Sequence, residues 1–555
     1  MAETPSDSDG TALPGAVASM QEVELGGTAQ SGPDFVPVGT APAAAPSSPA
    51  EIRPAEAPAA ADHAALAPQD VEQAGLLAQT FAALRGALLK LLPDEIMFVL
   101  SAGQSLSLGA TQLDRAATLW SGPVDADRAH MLDFDHAGIG ARGWNYIPLD
   151  PALYLGMEPM ESRVTETPAP AMAAQILDAY DSTGRLAPDL LHFGTGAIGA
   201  SLVELMTGAE DLATGLAAGL RQSGEGDLFA LARADGRYDY YLDHDGAAVA
   251  LGTFRHAPGL WDTMEAQIGF AAAAAAAEGY QVGSTVAIGF VHGQADARLD
   301  HPDFGYAWLA SRYFDMIETA MADIAGIADP RLVVALAQVA GDADGNVPLG
   351  QLDLIRDDPR VVYGGTQMEF QSLYPSTGGS DHIHLSPQGY LHLGETLGHY
   401  LGEALIGRAE DPILVSSVTA LAPDLLEVAF SGVGTRLVED RSIFEDNPAI
   451  SAPDHFGFAL SRPDGTRLAI EEAWISGADT VRLRLAETAS GAMHLSLGLH
   501  GQDLSDRIDD GAYESWNGTS LRDAAAEAAV LPQGYDGDLR AILEFAPTQE
   551  ADFWL

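Results

Sequence analysis

The chain of 555 residues contains no cysteine, and this absence excludes several chemistries at once. Disulfide frameworks, cysteine-ligated zinc sites and thiol nucleophiles all need that residue. Basic residues are also scarce, because 27 Lys and Arg face 79 Asp and Glu, for a formal net charge of -52. A field of this sign repels phosphate backbones and anionic lipid surfaces, so we expect neither a nucleic acid nor a membrane as partner.

Long apolar runs are missing as well. The first ten residues, MAETPSDSDG, carry acids where a secretory signal peptide has a basic start. No stretch approaches the roughly 18 uncharged apolar residues of a membrane span. We therefore expect a soluble chain without a classical signal peptide, cytoplasmic by default. Association with a virion and export by a non-classical route stay open.

The N-terminal part of the chain differs in composition from the rest. Residues 1–69 are rich in Ala, Pro, Ser, Gly and acids, and Phe35 is the one aromatic residue among them. Such a segment buries too little apolar area to offset backbone ordering, which predicts a disordered tail. Over residues 70–93, apolar side chains recur at three- and four-residue steps and predict an amphipathic helix. This helix either packs on the following domain or joins subunits of a homo-oligomer as a short coiled coil.

Two further parts follow, and their sequence patterns differ. Residues 94–408 alternate short apolar strands with longer helices, which predicts an α/β domain with a parallel sheet covered on both faces. Residues 409–555 contain β-rich runs separated by turn signals, which predict a β-sandwich-like accessory domain. The predicted strands of the α/β domain are Ile96–Leu100, Leu190–Phe193, Val282–Val291 and Leu332–Val339, and its helices lie near Met172–Tyr180, Ser201–Gly208, Trp261–Glu278, Ala307–Ile327 and Pro387–Ile406.

The first segment with a candidate catalytic residue runs from Phe98 to Gly109. An apolar strand leads into the small residues of Ser101-Ala102-Gly103-Gln104-Ser105, which permit a tight turn at the carboxyl edge of the sheet. A serine at that edge is a candidate nucleophile. Taken alone, Ser105 also fits the N-cap of a helix, and both interpretations stay open at this point.

The second segment lies far downstream, in the loop before a helix that starts at Ser386-Pro387. Asp381 and His384 lie three residues apart in that loop. A serine hydroxyl needs a base, and the base needs a carboxylate to hold its tautomer, so the loop offers both groups. His382 competes for the role of base. A metal site of Asp381, His382 and His384 lacks further ligands at suitable spacing, and we expect no metal.

The order of three segments gives a resemblance over roughly residues 96–408. The Gly-Gln-Ser segment ending at Ser105, the segment His292-Gly293-Gln294-Ala295-Asp296 and the Asp381-x-x-His384 segment resemble those of the SGNH hydrolases. Within that group they are most similar to the sialate O-acetylesterase and carbohydrate-esterase branch. The resemblance implies a three-layer α/β/α fold, with Ser105 as nucleophile, His384 as general base and Asp381 as its orienting acid.

The resemblance also implies an oxyanion hole. The family has a glycine donor after its second strand; Gly199 matches that position best, with Gly196 in reserve, and the backbone N–H of Ser105 completes the pair. The segment His292-Gly293-Gln294-Ala295-Asp296 departs from the family, which has an asparagine or Gln-Gly-Glu there, so His292 or Gln294 would donate. His292 occupies the aligned place and is favoured. The run Gly194-x-Gly196-x-x-Gly199 also fits a dinucleotide fingerprint, but the acidic residue about 20 positions on is missing, and we expect no cofactor.

These observations predict a serine esterase that removes O-acyl groups from a carbohydrate or polysaccharide, O-acetyl first among them. Two other interpretations stay open. The chain could be an SGNH lipase or thioesterase, which would show a large apolar cleft around Ser105. It could also be an inert, adhesive hydrolase-like component of a virion or cell surface.

Overall fold

A computed structural model describes residues 94–109, 119–120, 122–134, 154–162, 166–213, 227–244, 247–298, 305–340, 345–374, 384–445, 450–499, 502–503, 515–516, 518–530 and 541–555. The described residues all belong to one compact unit of the chain. The predicted tail over 1–69, the predicted helix over 70–93, and Asp381 with His382 lie outside these ranges. The expected domain boundary near residue 408 stays a prediction.

Strands and helices alternate through the first part of the chain, as the sequence pattern predicts. The strands are β1 (Glu95–Gly103), β2 (Ala129–Phe134), β3 (Tyr154–Pro159), β4 (Asp189–Gly196), β5 (Leu212–Ala213), β6 (Asp227–Ala232), β7 (Tyr238–His244), β8 (Ala247–Phe254), β9 (Gln281–Val291), β10 (Arg331–Gln338) and β11 (Val361–Thr366). The helices are α1 (Ala169–Thr183), α2 (Leu202–Leu205), α3 (Leu260–Ala277), α4 (Gly305–Asp323), α5 (Asn346–Asp357), α6 (Gln367–Leu373) and α7 (Pro387–Leu405).

Seven strands form one sheet in the order β11-β10-β9-β1-β4-β2-β3. All neighbours pair in parallel except β3, which runs antiparallel to β2 at one edge. Alternate residues of β1 point to opposite faces: Phe98 packs in a core with Ile268 of α3, and Val99 in a second core with Met172 of α1. Helix α4 contributes to the first core and α7 to the second. The mixed α/β class with a mainly parallel sheet is therefore confirmed.

A second sheet, in the order β5-β6-β7-β8, is inserted between β4 and β9 along the chain. Only its hairpin is visible in the sequence pattern, because Asp245-Gly246 is a turn signal and β7 and β8 pair antiparallel on either side of it. Tyr240 and Leu242 of β7 are fully buried in the same core as Phe98. The insertion is thus part of the α/β core.

Beyond Asp411 the chain is built from antiparallel strands, as expected. They are β12 (Leu414–Ala422), β13 (Leu425–Ser431), β14 (Leu437–Glu439), β15 (Phe458–Ser461), β16 (Arg467–Leu468), β17 (Ile470–Ile475), β18 (Thr480–Leu485), β19 (Ala492–Leu497), β20 (Gln502–Asp503), β21 (Ser515–Trp516), β22 (Leu521–Asp523) and β23 (Gln549–Trp554). The sheets β12-β13-β18-β17 and β16-β15-β19-β23 share one apolar core, in which Val428 of the first lies with Leu495 of the second. Within the described ranges, no helix is long and apolar enough to cross a membrane.

The last part of the chain returns to the α/β sheet and contacts it through buried polar groups. The Thr548 N–H donates to Gln338 Oε1 at 2.7 Å, and the Tyr363 hydroxyl donates to the Phe545 carbonyl at 2.6 Å. On α7, Glu395 is fully buried and accepts the Val530 N–H at 2.9 Å through one oxygen. Burial raises the pKa of Glu395 to about 8, and the negative charge of Asp178 adds to this effect.

The raised pKa of Glu395 predicts a specific dependence of stability on pH. Glu395 keeps its proton up to about pH 8 in the folded state, whereas in the unfolded state it loses the proton near pH 4.5. Its contribution to stability is therefore fully present below pH 4.5. Its contribution is lost as the pH rises toward 8. We expect Glu395→Gln, which keeps an acceptor for Val530, to raise the free energy of unfolding at pH 8.5 by about 1–3 kcal/mol and to change it little at pH 5.

Denaturant unfolding at the two pH values measures this difference. Glu471→Gln, on the exposed side of β17, is the matched control for removing one negative charge from an acidic protein. An equal gain for both variants would show that general charge repulsion, and not the burial of Glu395, is responsible.

Candidate active site

Strand β1 lies at the point where the chain changes sides of the sheet. Its neighbours are β4 on one side and β9 on the other, and the rest of the parallel sheet extends outward from these two. At such a switch point the loops that leave the carboxyl ends diverge and form a crevice. Gly103 at the end of β1 stands opposite Gly196 of β4 and Val291 of β9. The segments carrying Ser105, Gly199 and Gln294 therefore start at the same level of the same edge.

The end of β1 packs so closely against β9 that Gly103 has no room for a side chain. Gly103 has φ +132°, and a Cβ at this position would lie 2.1 Å from the Val291 carbonyl oxygen. The next N–H, of Gln104, donates to the same carbonyl at 3.1 Å. This contact turns the chain out of the sheet and into the 3-10 turn Ser105–Leu108, whose Ser107 hydroxyl donates to the Gln104 carbonyl at 2.7 Å. Gln104 holds the cap position, so Ser105 is the first residue of the turn and not its cap.

Three buried amide side chains connect the strand ends. Gln104 donates through Nε2 to Gln294 Oε1, and Gln294 donates through Nε2 to Gln367 Oε1 at the start of α6. Gln367 in turn donates to the Ala337 carbonyl at 3.1 Å. Each of the three glutamines is at most 2% exposed. Because a primary amide has two N–H groups, this chain of bonds orients Gln294 and still leaves it a second donor.

His292 is fully buried, and both of its ring nitrogens have partners. Nε2 lies 3.1 Å from the Ala200 carbonyl oxygen, and Nδ1 lies 3.0 Å from the Tyr306 hydroxyl. A carbonyl only accepts, so Nε2 carries the proton and donates it. One Asp296 oxygen lies 3.5 Å from the same nitrogen. The structure therefore directs the imidazole of His292 to the backbone of residues 197–201, the loop between β4 and α2 that contains Gly199 and is called the glycine loop below.

The two candidate glycines at the end of β4 and in the loop after it have different surroundings. A Cβ on Gly196 would lie 2.7 Å from the Gly103 carbonyl oxygen and 3.2 Å from Ser107 Oγ, so this glycine serves close strand packing. Gly199 has φ +68° and is exposed, and no atom lies within 4 Å of the place a Cβ would take. Between these two candidates, Gly199 is the one with open space beside it.

The helix start after this loop is occupied by carboxyl groups. The Leu202 N–H donates to Asp296 at 3.2 Å, and the Ser201 N–H donates to Glu204 at 2.7 Å in a capping box. Burial raises the pKa of Asp296 well above its usual range and also raises that of Glu204. The first two backbone donors at this helix start are thus already bonded within the protein.

His384 is half-buried at the start of the segment that leads into α7. The Ser386 N–H donates to the Tyr374 carbonyl at 2.9 Å, and Ser386 caps α7 by accepting the Gly389 N–H at 3.3 Å. Leu385, beside His384, lies in the same core as Leu106, beside Ser105. Asp381 is outside the described residues. The meeting of Ser105, His384 and Asp381 stays a prediction.

A second serine and histidine pair escaped the sequence analysis. Ser101 Oγ of β1 lies 3.0 Å from His192 Nε2 of β4, and both side chains are 4% exposed. Burial lowers the pKa of His192 to about 3, so the imidazole is neutral. The signal was available, because each is a polar residue beside large apolar ones, Ser101 after Leu100 and His192 between Leu191 and Phe193. Their position inside the sheet indicates a structural bond.

Comparisons with known proteins gave matches among solved structures alone. No protein-family model matches the chain, and no curated protein matches it significantly. A carbohydrate acetylesterase from Xanthomonas citri is 14% identical, with a TM-score of 0.40 over 82% of this chain and 81% of that one. NanS is 11% identical, with a TM-score of 0.32 over 57% and 97%. A protein from Arabidopsis thaliana is 13% identical, with a TM-score of 0.30 over 55% and 97%.

The Ser101–His192 bond predicts a stability effect. We expect Ser101→Ala to lower the free energy of unfolding by about 1–3 kcal/mol, because it removes the hydroxyl bonded to a buried imidazole nitrogen. Chemical denaturation measures the change. Ser416→Ala, on the exposed side of β12, is the control and should cost less than about 0.5 kcal/mol. Equal stabilities for the two variants would contradict a structural bond at Ser101.

Proposed function

We propose that the chain is a serine esterase that removes O-acyl groups, O-acetyl first among them, from a carbohydrate. In this proposal it has the three-layer fold of the SGNH hydrolases. The observation that carries the proposal is the position of Ser105. It is the first residue of a turn at the carboxyl end of β1, beside the ends of both neighbouring strands. A nucleophile at this place can be approached from the crevice of the sheet.

The proposed reaction passes through an acyl-serine. Ser105 Oγ attacks the acyl carbonyl carbon, and His384 takes the hydroxyl proton and gives it to the departing sugar oxygen. Water then attacks the acyl group, with its proton passing through His384 back to Ser105 as the carboxylate leaves. Asp381 holds the tautomer of His384 and stabilises its charged form. No metal or organic cofactor takes part in these steps.

The proposed oxyanion hole consists of the backbone N–H groups of Ser105 and Gly199 and the side chain of Gln294. Gln294 is assigned this role instead of His292, because the ring nitrogens of His292 bond to Ala200 and Tyr306. Gln294 has an N–H beyond the one it gives to Gln367. One oxyanion donor of this kind is typically worth about 2.7–4 kcal/mol of transition-state stabilisation.

The substrate class rests on the resemblance of the three sequence segments to carbohydrate esterases. The net charge of -52 agrees with a substrate that is not polyanionic. A lipase or thioesterase would prefer long acyl chains, and an inert adhesive protein would hydrolyse none. These differences make the three possibilities separable by one set of assays.

Ser105→Ala should abolish hydrolysis. We expect kcat/KM for p-nitrophenyl acetate and for an acetylated polysaccharide to fall by about 10³-fold or more, because the covalent step loses its nucleophile. Ser101→Ala is the matched control, since it removes a hydroxyl four residues away within β1, and it should retain the wild-type rate. Equal rates for wild type and Ser105→Ala would remove Ser105 from the mechanism. Faster hydrolysis of p-nitrophenyl palmitate than of the acetate would favour a lipase.

The two histidines of the downstream loop should behave differently. We expect His384→Ala to lower kcat by about 10³-fold or more, whereas His382→Ala should stay within about threefold of wild type. Steady-state kinetics on p-nitrophenyl acetate distinguish the variants, and circular dichroism checks that both fold. A large loss confined to His382→Ala would transfer the role of base to His382.

A further inference from the structure

Side chains hold four backbone groups around Gly199. The carbonyls on either side accept from imidazoles: Ile198 O from His256 at 3.0 Å and Ala200 O from His292 at 3.1 Å. The two N–H groups that follow donate to buried carboxyl groups, Ser201 to Glu204 and Leu202 to Asp296. Side-chain anchoring of four groups within five residues gives this loop little freedom to reorient.

The bond from His256 has a direct consequence for Gly199. The Ile198 carbonyl and the Gly199 N–H belong to the same peptide group, which is planar and trans. In such a group the C=O and the N–H point in opposite directions. Fixing the Ile198 oxygen on one side therefore fixes the direction of the Gly199 N–H on the other. A carbonyl can only accept, so His256 Nε2 carries the donated proton.

We propose that His256 is a positioning residue, which sets the Ile198–Gly199 peptide plane so that the Gly199 N–H faces the oxyanion. This inference rests on the proposed function. His256 does not touch the reacting atoms in this scheme. Without it, the Gly199 peptide is able to rotate away from the productive orientation, since Gly199 has φ +68° and no atom lies within 4 Å of its Cβ position.

His256 is itself held from two sides. Its backbone N–H donates to Glu204 Oε1 at 3.0 Å, and its carbonyl accepts from the Tyr240 hydroxyl at 2.7 Å. Tyr240 belongs to β7 and is fully buried, and His256 lies two residues after the end of β8. In this proposal the inserted sheet β5–β8 holds the imidazole of His256 beside the glycine loop.

The pKa shifts of the two anchoring acids run in the direction that suits this role. An ionised carboxylate beside the loop would oppose a negative oxyanion. Burial raises the pKa of both Glu204 and Asp296, which favours their neutral forms. The direction of both shifts thus works against negative charge beside the proposed oxyanion hole.

Substitutions of His256 test the proposal, because glutamine and asparagine place an amide N–H at different distances from the backbone. Glutamine Nε2 takes about the position of histidine Nε2, whereas the amide of asparagine ends near Nδ1. We expect His256→Ala and His256→Asn to lower kcat by about 10–100-fold with KM within about threefold. His256→Gln should restore most of kcat. A boronic acid bound to the serine mimics the tetrahedral oxyanion. Its affinity should fall by about 10–100-fold in His256→Ala and His256→Asn and stay near the wild-type value in His256→Gln.

The controls separate this inference from the proposed function. A fluorophosphonate probe forms a bond from Ser105 Oγ to phosphorus with loss of fluoride, and its rate reports the nucleophile and the oxyanion hole together. His494→Ala, on β19, controls for loss of an imidazole elsewhere. If wild type neither reacts with the probe nor hydrolyses esters, the proposed function fails and takes this inference with it. If wild type is active and His256→Ala equals it, or if His256→Gln is as impaired as His256→Ala, only the inference is overturned.

Discussion

The close packing of backbone at the ends of β1, β4 and β9 is the constraint on which the proposed site depends. Gly103 touches the Val291 carbonyl on one side, and its own carbonyl faces Gly196 on the other. A side chain at Gly103 or Gly196 has no room between these strands, so the strand ends are fixed relative to each other by close van der Waals packing and main-chain hydrogen bonds. The loops that carry Ser105, Gly199 and Gln294 all leave from this packed point. A methyl group added at Gly103 would separate them.

Buried polar groups continue this rigidity outward from the strands. The glutamine chain from Gln104 through Gln294 to Gln367 orients side chains along the edge, and His292 and His256 hold the backbone of the glycine loop. In a poorly solvated interior such bonds are strong when every partner is present and costly when one is missing. The same property that stabilises the fold therefore keeps donors pointed in one direction, which is what stabilisation of an oxyanion requires.

Local sequence pattern was enough to predict the strands that form the centre of the sheet and the long helices that cover it. It missed β2, β3, β11, α5 and α6, and it missed most of the sheet β5–β8, whose short strands have no period long enough to separate them from loops. The resemblance to a hydrolase family favoured His292 as a donor from its aligned place alone. Burial and the neighbours Ala200 and Tyr306 give this residue a different set of bonds, and no spacing rule contains that information.

The amino-acid sequence by itself determined the α/β order of the first part, the β character of the second, the acidic charge and the candidates Ser105 and His384. The fold pattern and the charge follow from local periodicity and composition, which act over a few residues, whereas the choice of His384 over His382 came from the resemblance of three segments to a hydrolase family. Only the tertiary structure decided that the ends of β1, β4 and β9 meet, that Gln104, Gln294 and Gln367 form one chain of bonds, and that His256 reaches the glycine loop. Those contacts join residues 58 to 190 positions apart, and they exist only because the sheet brings its strand ends to one edge.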